Sequence, residues 1–217
     1  MKKMMLGLLL LWGAAGLSAQ EAFIRELSGT VEVKAPGAAG WSPGRRGQVL
    51  AAGTMISTGF RSSALITIGA STLMVQPLTR LSLEELVQAR GTEKIDIRLR
   101  AGRIRANVKP PPGGNTSFVV RSPMATASVR GTDFDFDGLR LRVDEGRVHV
   151  SGNDGGGVYV GAGHSAKMNA ETGHLAGAAE TAREDLAPPA PAGMASGPEA
   201  PKVSPVAGEM EAGFAWK

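Results

Sequence analysis

Three aspartates at alternate positions, Asp133, Asp135 and Asp137, precede Gly138, and Asp144 follows seven residues after Asp137. That spacing matches the front half of a calcium loop, with Asp144 where the closing carboxylate would stand. The same stretch has a second reading. Phe134 and Phe136 alternate with the aspartates, and Leu139, Leu141 and Val143 alternate with Arg140 and Arg142 beyond the glycine. A chain curled round a cation cannot keep those apolar side chains on one face, whereas two strands joined at Asp137-Gly138 can. The hairpin is therefore the stronger expectation, and no metal ligand set or cofactor is assigned.

Other reaction chemistry is thinly represented. There is no cysteine, so thiol catalysis, thiolate metal sites and disulfides are excluded. His149, His164 and His174 are not at metal-ligand spacing, and a lone strand histidine is ordinarily a surface residue. Glu84-Glu85 and Asp144-Glu145 are adjacent in sequence, which on a strand turns the two carboxylates to opposite faces. No nucleophile elbow, Ser-x-x-Lys string or phosphate loop is present, so no catalytic residue is proposed.

Arginine is the remaining chemical signal. Arg98, Arg100, Arg103, Arg105, Arg140, Arg142 and Arg147 all occupy the polar positions of alternating runs. If their strands are neighbours they form a basic sheet surface. That surface is either a solvated face with cross-strand partners or a recognition site for an anionic polymer or an acidic protein surface. Nucleic acid is disfavoured because aromatic residues are not interleaved with the arginines. Arg130, next to Gly131, reads as a fork tying two strands together at a bend, with an anion site as the alternative.

The elements that must carry these residues are strands. The 217-residue chain has 30 glycines and only six Phe, three Trp and one Tyr, which suits many tight turns. Val31 and Val33, Leu81 and Leu83, Ile95, Ile97 and Leu99, and Val148 and Val150 each alternate with polar residues. Such runs have one buried and one wet face. Ala101-Gly102, Asp137-Gly138, Glu145-Gly146 and Asn153-Asp154-Gly155 are the turns between them. The fold expected is all-β, an antiparallel β-sandwich or jelly-roll-like arrangement of many short strands. At 78–90 a helical face competes, and the expectation there is strand through Leu83 followed by a turn of helix.

Both ends have separate character. Lys2 and Lys3 precede the apolar run 6–12 and the small residues to Ala19, the three-part pattern of a secretory signal peptide cleaved after Ala19. Residues 1–19 are thus read as an export signal, 20–177 as the β domain and 178–217 as a disordered Pro/Ala-rich tail. That tail contains Ala187-Pro188-Pro189-Ala190-Pro191 and ends in Phe214-Ala215-Trp216-Lys217. The terminal aromatics are a frayed end or a short docking peptide.

The string Val129-Arg130-Gly131-Thr132-Asp133-Phe134, preceded by Arg121-Ser122-Pro123, resembles the FecR domain family of bacterial envelope proteins. The resemblance begins at Gly29-Thr30-Val31-Glu32-Val33, takes in Trp41 and Gly53-Thr54-Met55-Ile56-Ser57-Thr58-Gly59, and continues through Ser63-Ala64-Leu65-Ile66-Thr67-Ile68 and Gly102-Arg103-Ile104. It closes on Val143-Asp144-Glu145-Gly146-Arg147-Val148-His149-Val150, with Val160 and Gly163 beyond, and covers about residues 27–170. Val129, Arg130, Gly131, Thr132 and Phe134 are its most specific positions.

Founding members of that family control a sigma factor through a cytoplasmic segment and a membrane span. The export signal read here leaves no such reach, so that role is not carried over. What the resemblance implies is a periplasmic, non-enzymatic binding module in signalling or scaffolding, with an envelope protein or anionic envelope polymer as partner. No transmembrane anchor is expected after signal cleavage, and a homo-oligomer is possible. The alternatives are a self-associating structural component, a calcium-binding protein or a glycan-processing β-sandwich.

Overall fold

The computed structural model describes residues 18–19, 22–89, 91–152, 155–170 and 172–176. The proposed disordered tail and nearly all of the proposed signal peptide lie outside the described residues. The described chain contains no helix. In order, the strands are β1 Ser18–Ala19, β2 Ala22–Ser28, β3 Val31–Lys34, β4 Ser42–Pro43, β5 Val49–Leu50, β6 Met55–Thr58, β7 Ser63–Ile68, β8 Ser71–Val75 and β9 Arg80–Ala89. There follow β10 Thr92–Ala101, β11 Ile104–Asn107, β12 Asn115–Arg121, β13 Ala125–Val129, β14 Asp133–Phe136, β15 Arg140–Glu145, β16 Arg147–Gly152, β17 Gly157–Gly161 and β18 Ser165–Lys167.

These strands make two sheets. The first runs β17-β16-β13-β12-β10-β9-β6-β3-β4, with β1 also paired to β9, and the second runs β18-β15-β14-β11-β8-β7-β2-β5. The chain feeds them alternately: β7 and β8 lie in the second sheet, β9 and β10 in the first, β11 in the second, β12 and β13 in the first, β14 and β15 in the second, and β16 and β17 in the first. Period-two alternation supplies each strand with one apolar face, and the two sheets turn those faces onto a single core. Ile56, Leu83, Ile97, Phe118 and Val148 enter from the first sheet, and Ile24, Ile66, Leu73, Phe134 and Val143 from the second. The rings of Phe118 and Phe134 meet edge to face across the core with centroids 6.2 Å apart.

The all-β sandwich expected from the sequence is therefore present, with two corrections. One pair is parallel: β10 runs alongside β12, with Ile95 opposite Phe118. The chain leaves β10, passes through β11 in the other sheet and returns by Pro110-Pro111-Pro112, so β12 must start at the same end as β10. The turn of helix expected after Leu83 is absent. Instead β9 continues to Ala89, with a register shift where Ile97 faces Leu83 and Asp96 faces Glu85. Glu84 is the extra residue of that bulge, which brings Leu86 onto the same buried strand face as Leu81 and Leu83 and so gives Leu81 and Leu86 the spacing that suggested a helical face.

Where the chain changes sheet, ladder bonds end and buried hydroxyls take over. Thr58 Oγ1 donates to the Gln76 carbonyl (2.6 Å) and accepts from Thr79 N–H (3.0 Å). Thr79 Oγ1 bonds to the Arg103 backbone (3.0 Å), and Ser62 Oγ accepts from Thr30 N–H (2.8 Å). Thr132 Oγ1 donates to the Arg147 carbonyl (3.1 Å). All four residues are buried.

Replacing Phe118 by Ala removes a fully buried ring that bridges the two sheets. The expected loss is about 3–5 kcal/mol of unfolding free energy, read as a lower urea midpoint of the full chain.

Candidate functional site

The most specific sequence string lies at one end of the sandwich, where the chain crosses between sheets twice. It passes from β13 to β14 through Arg130-Gly131-Thr132 and returns from β15 to β16 through Gly146. Gly131 takes φ +73 and Gly146 φ +82, a region that residues with a Cβ seldom adopt. A Cβ on Gly146 would stand 2.8 Å from the Gly131 carbonyl and 3.1 Å from Thr132 Oγ1, so the two turns are packed backbone to backbone. At Gly131 the same test gives ordinary contacts, 3.6 Å to Pro110 at the nearest, so its requirement is conformational and not steric. Thr132 exchanges backbone bonds with Val108 in both directions (3.0 and 2.8 Å).

That geometry reassigns Arg130. The strand-tying role read for it belongs to Thr132, which joins β11, β14 and β16 by the bonds just described. Arg130 itself is exposed, and its side chain makes no hydrogen bond or ion pair among the described residues. Val129 and Phe134, on either side of the turn, are core residues.

The seven arginines read as one basic surface are divided between two faces. Arg98, Arg100 and Arg147 project from the first sheet and Arg105, Arg140 and Arg142 from the second, while Arg103 sits in the crossing between β10 and β11. On the second sheet they meet the aspartates of the supposed calcium loop. Arg105 is opposite Asp135, and Asp135 is opposite Arg142. Arg103 lies 3.3 Å from Asp135 and 3.4 Å from Asp137, Arg105 lies 3.2 Å from Asp133 and 2.7 Å from Asp144, and Arg142 lies 3.3 Å from Asp144.

This is a mixed-charge lattice, in which each of those aspartates faces at least one guanidinium. Asp137 also turns the hairpin, its Oδ1 accepting from the N–H groups of Leu139 and Arg140 (3.0 and 2.7 Å). The chain is extended on both sides of Gly138, so the segment is a hairpin. Among the described residues, no group of three or more His, Cys, Asp or Glu is placed to hold a metal ion.

Electrostatics in the lattice follow from burial and pairing. Burial pushes the Asp135 carboxyl above its ordinary value, against the opposing pull of Arg103, a hydrogen bond from Gln76 and Arg105. Arg105 is held further above its already high value, chiefly by its hydrogen bond to Asp133.

The outer face of the first sheet is different. Register aligns Asp96, Val119, Ser128, His149 and Tyr159 as one outward row across β10, β12, β13, β16 and β17. At the β10 end, Asp96 is buried and paired to Arg121 of β12, and Arg98 lies 3.4 Å from Glu84. Toward the β17 edge the short side chains leave a groove of about 860 Å³, lined by Ser117, Val119, Ser128, Arg130, Arg147, His149 and Tyr159. Val129 faces Val148, which brings Arg130 beside Arg147 at that groove. Arg147 was among the sequence candidates; Ser117, Ser128 and Tyr159 were missed. Alternation marks them as outward positions, but only the register of β12, β13, β16 and β17 brings them together. Arg100 is exposed near the end of β10 and does not line this groove.

Residues 54–156 match the family described as FecR protein, which bears out over that span the resemblance read from the sequence. The matched segment runs from the start of β6 to the turn before β17 and contains both packed glycine turns. No curated protein matches the chain. Among solved structures, two crystal structures of a candidate anti-sigma factor from Parabacteroides distasonis are similar at 16% identity and a TM-score of 0.47, covering 56% of this chain and 57% of theirs.

The raised Asp135 carboxyl has a consequence for pH dependence. Because its folded-state value lies above its unfolded one, its contribution is fully present below about pH 3.8, the ordinary aspartate value, and is lost as pH rises through the folded value. Asp135→Asn is therefore expected to be more stable than the parent chain at pH 7. That advantage should shrink to nothing below pH 3.8, as measured by thermal melts across the range.

Proposed function

We propose that this chain is an exported, non-enzymatic FecR-type module that acts by binding in the bacterial cell envelope. The partner is an envelope protein or anionic polymer, contacted through the outer face of the first sheet. The observation that carries this reading is the placement of Arg130: the cation inside the most specific family string is exposed and unpaired among the described residues, beside Arg147 at a groove. A residue held by two packed turns and given no internal partner is arranged for an external one. Periplasmic placement rests on the leader pattern of residues 1–19. Among the described residues, no helix is long and apolar enough to cross a membrane.

Self-association is favoured by a separate observation. β17 ends the first sheet, and Val158 and Tyr159 on it are 44% and 72% exposed, so its free edge could pair with another copy.

Purified full chain is expected to be retained by isolated envelope fractions at about 50 mM salt and released as salt approaches about 0.5 M, where exposed charges are screened within a few ångströms. Arg130→Gln should lower that retention while leaving the melting temperature unchanged. Absence of retention, or retention indifferent to salt, contradicts the binding reading. A mass that grows with concentration in light scattering, without envelope material, supports self-association in its place.

A further inference from the structure

We propose that the groove on the outer face of the first sheet is a binding site for an acidic saccharide, a sugar chain bearing carboxylates. This rests on the reading of the chain as a binding module and gives that module a site and a ligand class.

Four features converge there. First, the two cations are unlike most strand arginines in this molecule. Arg98, Arg103, Arg105, Arg121 and Arg142 are all paired with carboxylates, whereas Arg130 and Arg147 have no side-chain partner among the described residues. A guanidinium fork matches a carboxylate in two parallel hydrogen bonds. Second, the groove floor on β12 and β13, beside the two arginines, carries the hydroxyls of Ser117 and Ser128, which can donate to and accept from sugar hydroxyls.

Third, Tyr159 stands 72% exposed as a plate at the groove's edge, with its ring 4.8 Å from that of His149. The space for this pair is made by Gly157, where a Cβ would lie 2.7 Å from His149 Nε2. An exposed aromatic face that a neighbouring ring holds in place suits the apolar face of a sugar ring. Fourth, β12, β13 and β16, which floor the groove, each pair with a strand on both sides. Their backbone groups are already engaged, so an extended peptide could not add as a strand there. Recognition must run through side chains, and the set present is two guanidinium groups, two hydroxyls, an imidazole and a phenol. That set fits a polyol carrying negative charge better than an acidic peptide, which needs cations but no plate.

The test is titration of the full chain by calorimetry with three probes: tetragalacturonate, the neutral α-1,4-linked tetrasaccharide maltotetraose, and tetraglutamate. The expected result is saturable binding of tetragalacturonate and none of maltotetraose. Arg130→Gln, Arg147→Gln and Tyr159→Ala should each weaken that binding about tenfold, the scale of one lost charge-assisted contact for the arginines and of one lost ring contact for the tyrosine. Arg105→Gln, which alters the paired lattice on the opposite sheet, should leave it within about twofold. Circular dichroism confirms that each variant keeps its fold. No saturable binding of tetragalacturonate, or binding unchanged by all three groove variants, overturns the proposal. Tetraglutamate bound as tightly, with Tyr159→Ala without effect on either ligand, also overturns it and makes the groove an acidic-peptide site. Envelope retention that persists when tetragalacturonate fails to bind removes the saccharide assignment alone and leaves the binding module standing.

Discussion

The structure depends on how a chain that keeps changing sheets satisfies its backbone at each crossing. A sandwich built by alternate feeding has many such points, and at each of them two N–H or C=O groups leave a ladder in the dry margin of the core. Unmet, each would cost about 1–3 kcal/mol. Thr58, Thr79, Ser62 and Thr132 meet them with side-chain hydroxyls, and glycines with positive φ allow the backbones to approach closely enough for those bonds to form. The turn at Gly146 is one example, because a Cβ there would stand 2.8 Å from the Gly131 carbonyl. The proposed binding surface rests on that constraint: the same packed turns that close the sandwich set Arg130 and Arg147 side by side on its surface.

The two outer faces show how differently one residue type can be used. On the second sheet, arginines alternate with aspartates across three strands, and the charges largely satisfy one another. Exposed pairs of this kind contribute little each, and burial of Asp135 opposes even that. Their effect is on specificity of register, since a one-residue slip of β14 would turn Phe134 and Phe136 outward and the aspartates into the core. On the first sheet Asp96–Arg121 and Arg98–Glu84 pair near β10, whereas toward the β17 edge the outward positions are short or uncharged and Arg130 and Arg147 have no partner among the described residues. The contrast is chemical. One face largely matches its own charges, and the other leaves two guanidinium groups unmatched among the described residues.

Much of the fold was legible because it is written in period two. Ile95, Ile97 and Leu99, or Leu141 and Val143, announce their strand and its buried face without help, and Asp137-Gly138 announces its turn. The bulge at Glu84 was not legible: an inserted residue shifts the period and makes a strand imitate a helix. The parallel pairing of β10 with β12 depends on a return path through the other sheet, which local pattern does not encode. At the site, sequence alternation correctly turned the arginines outward but could not say which sheet each joins, so two faces of different character were read as one. Arg130 was misread because an arginine beside a glycine turn looks like a fork for carbonyls. The hydroxyl that does that work is its neighbour but one, Thr132, and only the packed geometry separates their roles. Tyr159 and the groove serines carry no motif, and their meaning comes from register alone.

The central claim is that this molecule meets its partner on the outer face of the first sheet. Site-specific photo-crosslinking in intact cells tests it most directly, with the crosslinking residue placed at Ser128 on the groove floor or at Thr72 on the outward face of β8 in the second sheet. Adducts to envelope material are predicted from position 128 and not from position 72. Adducts from position 72 alone, or from neither, would contradict the account.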